Sequence, residues 1–218
     1  SNNGPNSSPR NRLFRRRTLP AHDGSIRPSA LQSRRERTSQ FHSVFPWWRD
    51  SNTWLPFYLF IFLLAVVNFG WRIWPWVVCF IITVTLTDQV SSGILKNWIN
   101  RPRPCNDEVL MYQVRLLLSY CPGNGSFTSS HATNHFGMAC FLYFTLRPYV
   151  KKWGYLFFFW AATISYGQVY VGIHYPFDVI CGAILGSSIG CITASIFNRR
   201  IGLPPLISKR IQQPVNMQ

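Results

Sequence analysis

Acidic residues are scarce in this chain. Its 218 residues include 7 Asp and Glu against 22 Lys and Arg, a formal net charge of +15. Beyond residue 50 the acids are Asp88, Asp107, Glu108 and Asp178 alone, so each has a raised chance of a specific task. No C-x-x-C pair occurs among the 6 cysteines, which excludes the usual zinc-ligand and redox spacings. Cys79, Cys140, Cys181 and Cys191 fall in apolar stretches and read as small buried side chains. Cys105 and Cys121 lie in a polar loop, where a disulfide and two free thiols both fit; a bridge would require an oxidising compartment. Residues 1–50 lack lysine altogether but hold ten arginines. Residues 1–40 also lack hydrophobic periodicity and any apolar core of a signal peptide. The arginines are not interleaved with stacking aromatics, so a pI of about 10.2 does not indicate a nucleic-acid partner.

What is present is apolar. Hydrophobic residues make up 47% and aromatics 16%, with 9 tryptophans, a membrane composition once the polar start is set aside. Five hydrophobic segments are expected: Trp54 to Phe69, Ile73 to Trp98, His131 to Leu146, Trp153 to Gly172 and Pro176 to Phe197. The expected fold is an all-α, multi-span transmembrane helix bundle with about five visible spans. Residues 1–40 read as a disordered Arg-rich segment outside the fold, 41–200 as the transmembrane domain and 201–218 as a tail. The chain starts with serine rather than methionine, as a processed or truncated product would. Trp47, Trp48, Trp54, Trp71, Trp74, Trp76, Trp98 and Trp153 cluster near segment ends, as interfacial anchors do. Gly182, Gly186 and Gly190 form a small-residue stripe suited to close helix packing.

If the segments alternate across a membrane, Lys96, Arg103, His131 and His174 share one face. Arg72, Arg147, Lys151, Lys152, Arg199 and Arg200 share the other. By the positive-inside rule the second face is cytoplasmic. The first then faces the exterior, or the periplasm if the membrane is a Gram-negative inner membrane. The Arg-rich start conflicts with this unless an upstream span is missing or residues 1–40 stand apart.

Three polar clusters border these segments. His174 and Asp178 in GIHYPFDV are four apart, which on a helix places both on one face. The carboxylate could then hold one imidazole nitrogen and free the other as a nucleophile. Alone, the pair reads first as a structural contact. In SFTSSHATNHF, Ser129 and Ser130 precede His131 at a helix start, where free amides and a serine cap favour an anion. His131 could protonate a leaving oxygen. His131 and His135 are also four apart, but no glutamate or third ligand of zinc spacing accompanies them. In KNWINRPRP, Lys96 and Arg103 could converge on phosphate oxygens, with Pro102 and Pro104 stiffening the turn. Arg101 and Arg115 read as interfacial anchors. Asp88, deep in the second segment, is expected to pair with a basic group of the site and position it.

In this order and spacing the clusters resemble the type 2 phosphatidic acid phosphatase superfamily, which also contains bacterial acid phosphatases and vanadium haloperoxidases. Its motif K-x-x-x-x-x-x-R-P is matched by Lys96, Arg103 and Pro104. Its P-S-G-H corresponds to Thr128-Ser129-Ser130-His131, with Thr128 in place of proline and Ser130 in place of glycine. Its S-R-x-x-x-x-x-H-x-x-x-D corresponds to Gly167-Gln168 followed by His174 and Asp178. The resemblance covers about residues 50–200. It implies that His174 attacks phosphorus, Asp178 orients it and His131 protonates the leaving group. Lys96, Arg103, Ser129 and the backbone around Ser130 would bind the phosphoryl oxygens, without metal or cofactor. Gln168 stands where the motif has arginine, so it could donate hydrogen bonds but brings no charge; Arg101 and Arg115 are the candidates to restore it. Membrane members of the family usually have six spans, so one would be absent here.

The function expected is an integral membrane phosphohydrolase acting on a lipid phosphate or diphosphate. Undecaprenyl diphosphate, phosphatidylglycerol phosphate, phosphatidic acid and lipid A phosphates all fit. The rivals are a non-catalytic lipid-phosphate-binding relative, for which Gln168 argues, and a transporter subunit, for which Asp88 argues. Beyond membrane lipids and substrate no partner or oligomeric state is indicated.

Overall fold

The computed structural model describes residues 44–206. The Arg-rich stretch 1–40 and residues 207–218 lie outside the described residues. Five long helices carry the fold, and no strand occurs among the described residues. They are α1 (Leu55–Phe69), α2 (Trp74–Asp88), α3 (Ser130–Val150), α4 (Tyr155–Tyr170) and α5 (Pro176–Arg200).

Local sequence sets most boundaries. Pro56, Pro75 and Pro176 lie in first turns, where a missing N–H removes no helical bond. Gly70 ends α1 with φ of 70°, a conformation glycine adopts without steric penalty. Ser129 caps α3 by accepting from the amide of Ala132. The third segment extends further than expected, to Val150, because Arg147 and Pro148 are accommodated in the last turns of α3. Helix α2 runs on through a π-helical stretch, Gln89–Leu95, and an α-turn, Lys96–Ile99. It stops at Asn100, in the left-handed region.

Helices α3 and α5 share the most extensive interface. The glycine stripe makes it possible. A methyl group at Gly182 would lie 2.8 Å from the Ser129 carbonyl, and one at Gly186 would overlap the Thr133 carbonyl. Only hydrogen at these positions lets the two backbones approach so closely. The same contact ties the start of α3 to the start of α5, since the Ser129 amide donates to the Asp178 carbonyl at 3.2 Å.

The helices are apolar outside and partly polar inside. Leu59, Leu63 and Val67 on α1 and Ile180, Ile184 and Ile192 on α5 are exposed, whereas Thr83, Thr87 and Thr145 are buried. Interhelical bonds join Thr83 to Thr193 at 2.8 Å and the Trp76 indole to Thr145 at 2.9 Å. Ser51–Asn106 and Pro176–Arg200 are long and apolar enough to cross a membrane, with only 11% and 22% of their most apolar windows buried. Apolar surface left outside while polar groups pair inside suits hydrocarbon surroundings.

Candidate active site

The three polar clusters meet at one cavity of about 350 Å³. Asp88, Ser92 and Lys96 line it from α2 and its continuation, and Arg103 from the turn beyond. Ser130, His131 and Asn134 come from the first turns of α3, and Ile173 and His174 from the loop before α5. The loop 105–124 adds Tyr120, Pro122 and Asn124, and the approach to α1 adds Arg49 and Ser51. The π-helical stretch explains how α2 contributes three residues each four apart. Its wider turn offsets the drift of an α-helix.

His174 is buried, with 3% of its surface exposed. The expected helical His–Asp step is not helical: His174 lies in the loop, and Asp178 sits in the first turn of α5. That turn is closed by a capping box in which the Tyr175 amide donates to Asp178 Oδ2 at 3.2 Å. Arg101 Nη1 donates to Asp178 Oδ1 at 2.9 Å, and its guanidinium stacks on Tyr175. The carboxylate is therefore fixed from two sides. Its Oδ2 stands 3.7 Å from His174 Nδ1, beyond hydrogen-bond range but in a geometry that can tighten when substrate binds.

Arg103 Nη1 contacts His174 Nε2 at 3.1 Å. A guanidinium only donates, so Nε2 is the acceptor and the ring proton resides on Nδ1, toward Asp178. Burial lowers the His174 pKa to about 4; Asp178 opposes this, while Arg103 and Lys96 reinforce it. The imidazole is thus neutral near neutral pH, with its Nε2 lone pair available.

Arg103 is held tightly by the protein. Nε donates to the Asn124 carbonyl at 3.0 Å, Nη2 to Asn124 Oδ1 at 2.7 Å and Nη1 to the Ile173 carbonyl at 3.2 Å. Lys96 is also buried at the cavity wall. Ser130 shares a 2.7 Å hydrogen bond with Ser92, which in turn donates to Asp88 at 3.1 Å. Asn134 donates to the same Asp88 oxygen at 3.2 Å. Asp88 faces the cavity as expected, but it organises neutral donors instead of pairing with a cation.

Two expected phosphate contacts fall elsewhere. The Ser129 hydroxyl is fully buried and engaged in capping α3, so it does not line the cavity. Gln168 is fully buried on α4 and does not line the cavity, and neither of its amide atoms has a hydrogen-bond partner among the described residues. Of the arginines expected to replace its charge, Arg115 is exposed and Arg101 is committed to Asp178. His135 has a structural setting: Nδ1 donates to the His131 carbonyl at 2.7 Å, and Nε2 lies 3.3 Å from the Tyr58 hydroxyl.

Residues 74–201 match the PAP2 superfamily. The chain belongs to the PAP2 superfamily. A lipid A 4'-phosphatase of Bacteroides thetaiotaomicron is 37% identical over 136 residues, covering 61% of this chain and 59% of that protein. One of Porphyromonas gingivalis is 29% identical over 119 residues, covering 54% of this chain and 49% of that protein. The chain therefore spans about half to three-fifths of the length of these curated relatives. The crystal structure of Aquifex aeolicus LpxE superposes with a TM-score of 0.52 at 25% identity, covering 71% of this chain and 84% of that one.

Several residues lining this PAP2 cavity were not singled out from the sequence. Asn124 sits in a Gly-Asn-Gly turn that reads as a plain loop. Cys105 and Cys121 are disulfide-bonded, and the bridge brings that loop back over Arg103. Ser92 carries no motif, and only its four-residue spacing from Asp88 and Lys96 hints at it. Arg49 was counted with the basic N-terminal half-hundred residues; the local signal was its place between Trp48 and Trp54, at an interfacial boundary.

Proposed function

We propose that this chain is a membrane lipid phosphatase working through a phosphohistidine. The observation that carries the reading is the His174 Nε2 lone pair, presented to a cavity that also holds Lys96, Arg103 and His131. His174 Nε2 attacks phosphorus as Arg103 releases it to bind a phosphoryl oxygen. The bond to the leaving oxygen breaks, and His131 supplies that oxygen with a proton. Asp178 takes up the growing charge on the His174 ring. Water, deprotonated by His131, then attacks the phosphohistidine, releasing phosphate and restoring Nε2. Lys96 and Arg103 offset negative charge throughout.

The substrate is a lipid carrying a phosphomonoester or diphosphate, its tail in the bilayer and its headgroup in the cavity. The likeness to proteins named lipid A 4'-phosphatase favours a phosphorylated glycolipid headgroup. In this reading the protein crosses the membrane several times with the cavity facing outward. The Cys105–Cys121 bridge supports that side, since disulfides persist in oxidising compartments. So does the cationic opposite face with Arg147, Lys151, Lys152, Arg199 and Arg200.

The test is phosphate release from a panel of lipid phosphates by wild type and His174→Ala. The wild type should act on at least one, with the variant reduced by roughly a thousand-fold or more. Equal activity in the two proteins, or none on any lipid, would end this reading.

A further inference from the structure

The cavity contains a cation that the mechanism above leaves unused. Arg49 lines it, with its Nε and Nη1 buried and without a hydrogen-bond partner among the described residues. It lies close enough to interact through charge with both Arg103 and His131. Its neighbour Asp50 is engaged locally, accepting from the Asn52 amide at 3.0 Å. Among the described residues no carboxylate lies within ion-pairing distance of Arg49. A buried guanidinium cannot shed its proton, and leaving it unpaired is unfavourable. Burial lowers the Arg49 pKa, against the pull of Asp50 and Tyr120. An anion in the cavity would relieve that strain.

Its position is built, not incidental. The Trp48 indole donates to Thr163 on α4 at 3.1 Å. The Phe45 ring packs on Tyr170 at 4.2 Å and against Tyr166 at 5.8 Å, also on α4. These contacts clamp residues 45–49 onto α4 at Gly167. A methyl group at Gly167 would already lie 3.2 Å from Arg49 Cβ, so a larger side chain there would push Arg49 out. The next residue is Gln168, the place where the motif arginine is absent. Arg103, meanwhile, spends most of its donors on Asn124, Ile173 and His174.

We propose that Arg49 is a phosphate-binding residue of this site, replacing from the segment ahead of α1 the charge that α4 lacks at Gln168. Its guanidinium takes non-bridging phosphoryl oxygens beside Lys96. This rests on the phosphatase reading, so the test separates the two. Inorganic phosphate is titrated into the purified full chain, with binding followed by calorimetry and by competitive inhibition of lipid-phosphate hydrolysis. Arg49→Gln should weaken phosphate binding roughly ten- to a hundred-fold and raise KM more than it lowers kcat. Arg49→Lys should lose less, because charge remains. Adding Gln168→Arg to Arg49→Gln should recover much of the loss, which no merely structural role for Arg49 predicts. Phosphate binding unchanged in Arg49→Gln would overturn this inference alone. So would equal losses in the Lys and Gln variants with no recovery in the double variant. A wild type that neither binds phosphate nor hydrolyses any lipid phosphate would overturn the phosphatase reading and this inference with it.

Discussion

At His174, Arg103 sets the tautomer by donating to Nε2, and burial keeps the ring neutral down to about pH 4. The profile of kcat/KM reports groups of the free enzyme. Its acid limb, set by His174, should therefore lie near pH 4. His131 must be protonated to act as acid, so it shapes the alkaline limb instead. An acid limb centred above pH 6 would contradict the His174 assignment. Stability follows with its own sign. The folded pKa lies below the ordinary value of 6.5, so the unfolded chain binds the proton first. Stability is therefore lost as pH falls from 6.5 toward 4. The His174–Asp178 spacing was legible in the sequence as a pair. Its true setting, a loop residue facing a helix N-terminus, was not, because Pro176 allows the helix to start between them.

Among the elements, α3 and α5 decide where the chemistry sits. Gly186 faces the Thr133 carbonyl with no room for a methyl group. Gly186→Leu must separate the helices, with an expected loss of about 2 kcal/mol or more. Because Ser129 bonds to the Asp178 carbonyl across this interface, the separation should also move His131 away from His174. Thermal unfolding in detergent and phosphatase activity should both fall; an unaltered Tm would refute the packing argument. The five hydrophobic segments and the glycine stripe were readable from periodicity and composition. The π-helical stretch was not, since its residues, QVSSGIL, carry no signature that separates it from an ordinary α-turn.

For the whole molecule, the cavity depends on closing a long polar loop over the helix ends. The Cys105–Cys121 bridge spans a sequence separation of 16, a loop whose cross-link contributes roughly 3 kcal/mol. The double variant Cys105→Ser, Cys121→Ser should lower the unfolding temperature. It should also reduce kcat/KM, because Asn124, which holds Arg103 through two bonds, loses its tether. Unchanged kinetics would mean that the loop keeps its place without the bridge.

The sequence by itself determined the all-helical membrane design, since apolar runs of this length leave few other ways to satisfy the backbone. It also determined which reactive groups were available, because motif spacing places Lys96, Arg103, His131, His174 and Asp178 at helix ends. Only the tertiary structure decided which hydroxyl caps a helix and which faces the cavity, and that Asp88 gathers Ser92 and Asn134. It also set Arg49 against Gly167, next to the vacant motif position. The Asp88 cluster depends on helices whose contacting residues are 38 and 46 apart in sequence, and the place of Arg49 on contacts 115 apart, such as Trp48 with Thr163. No local pattern encodes a contact of that kind; it exists only once the helices have packed.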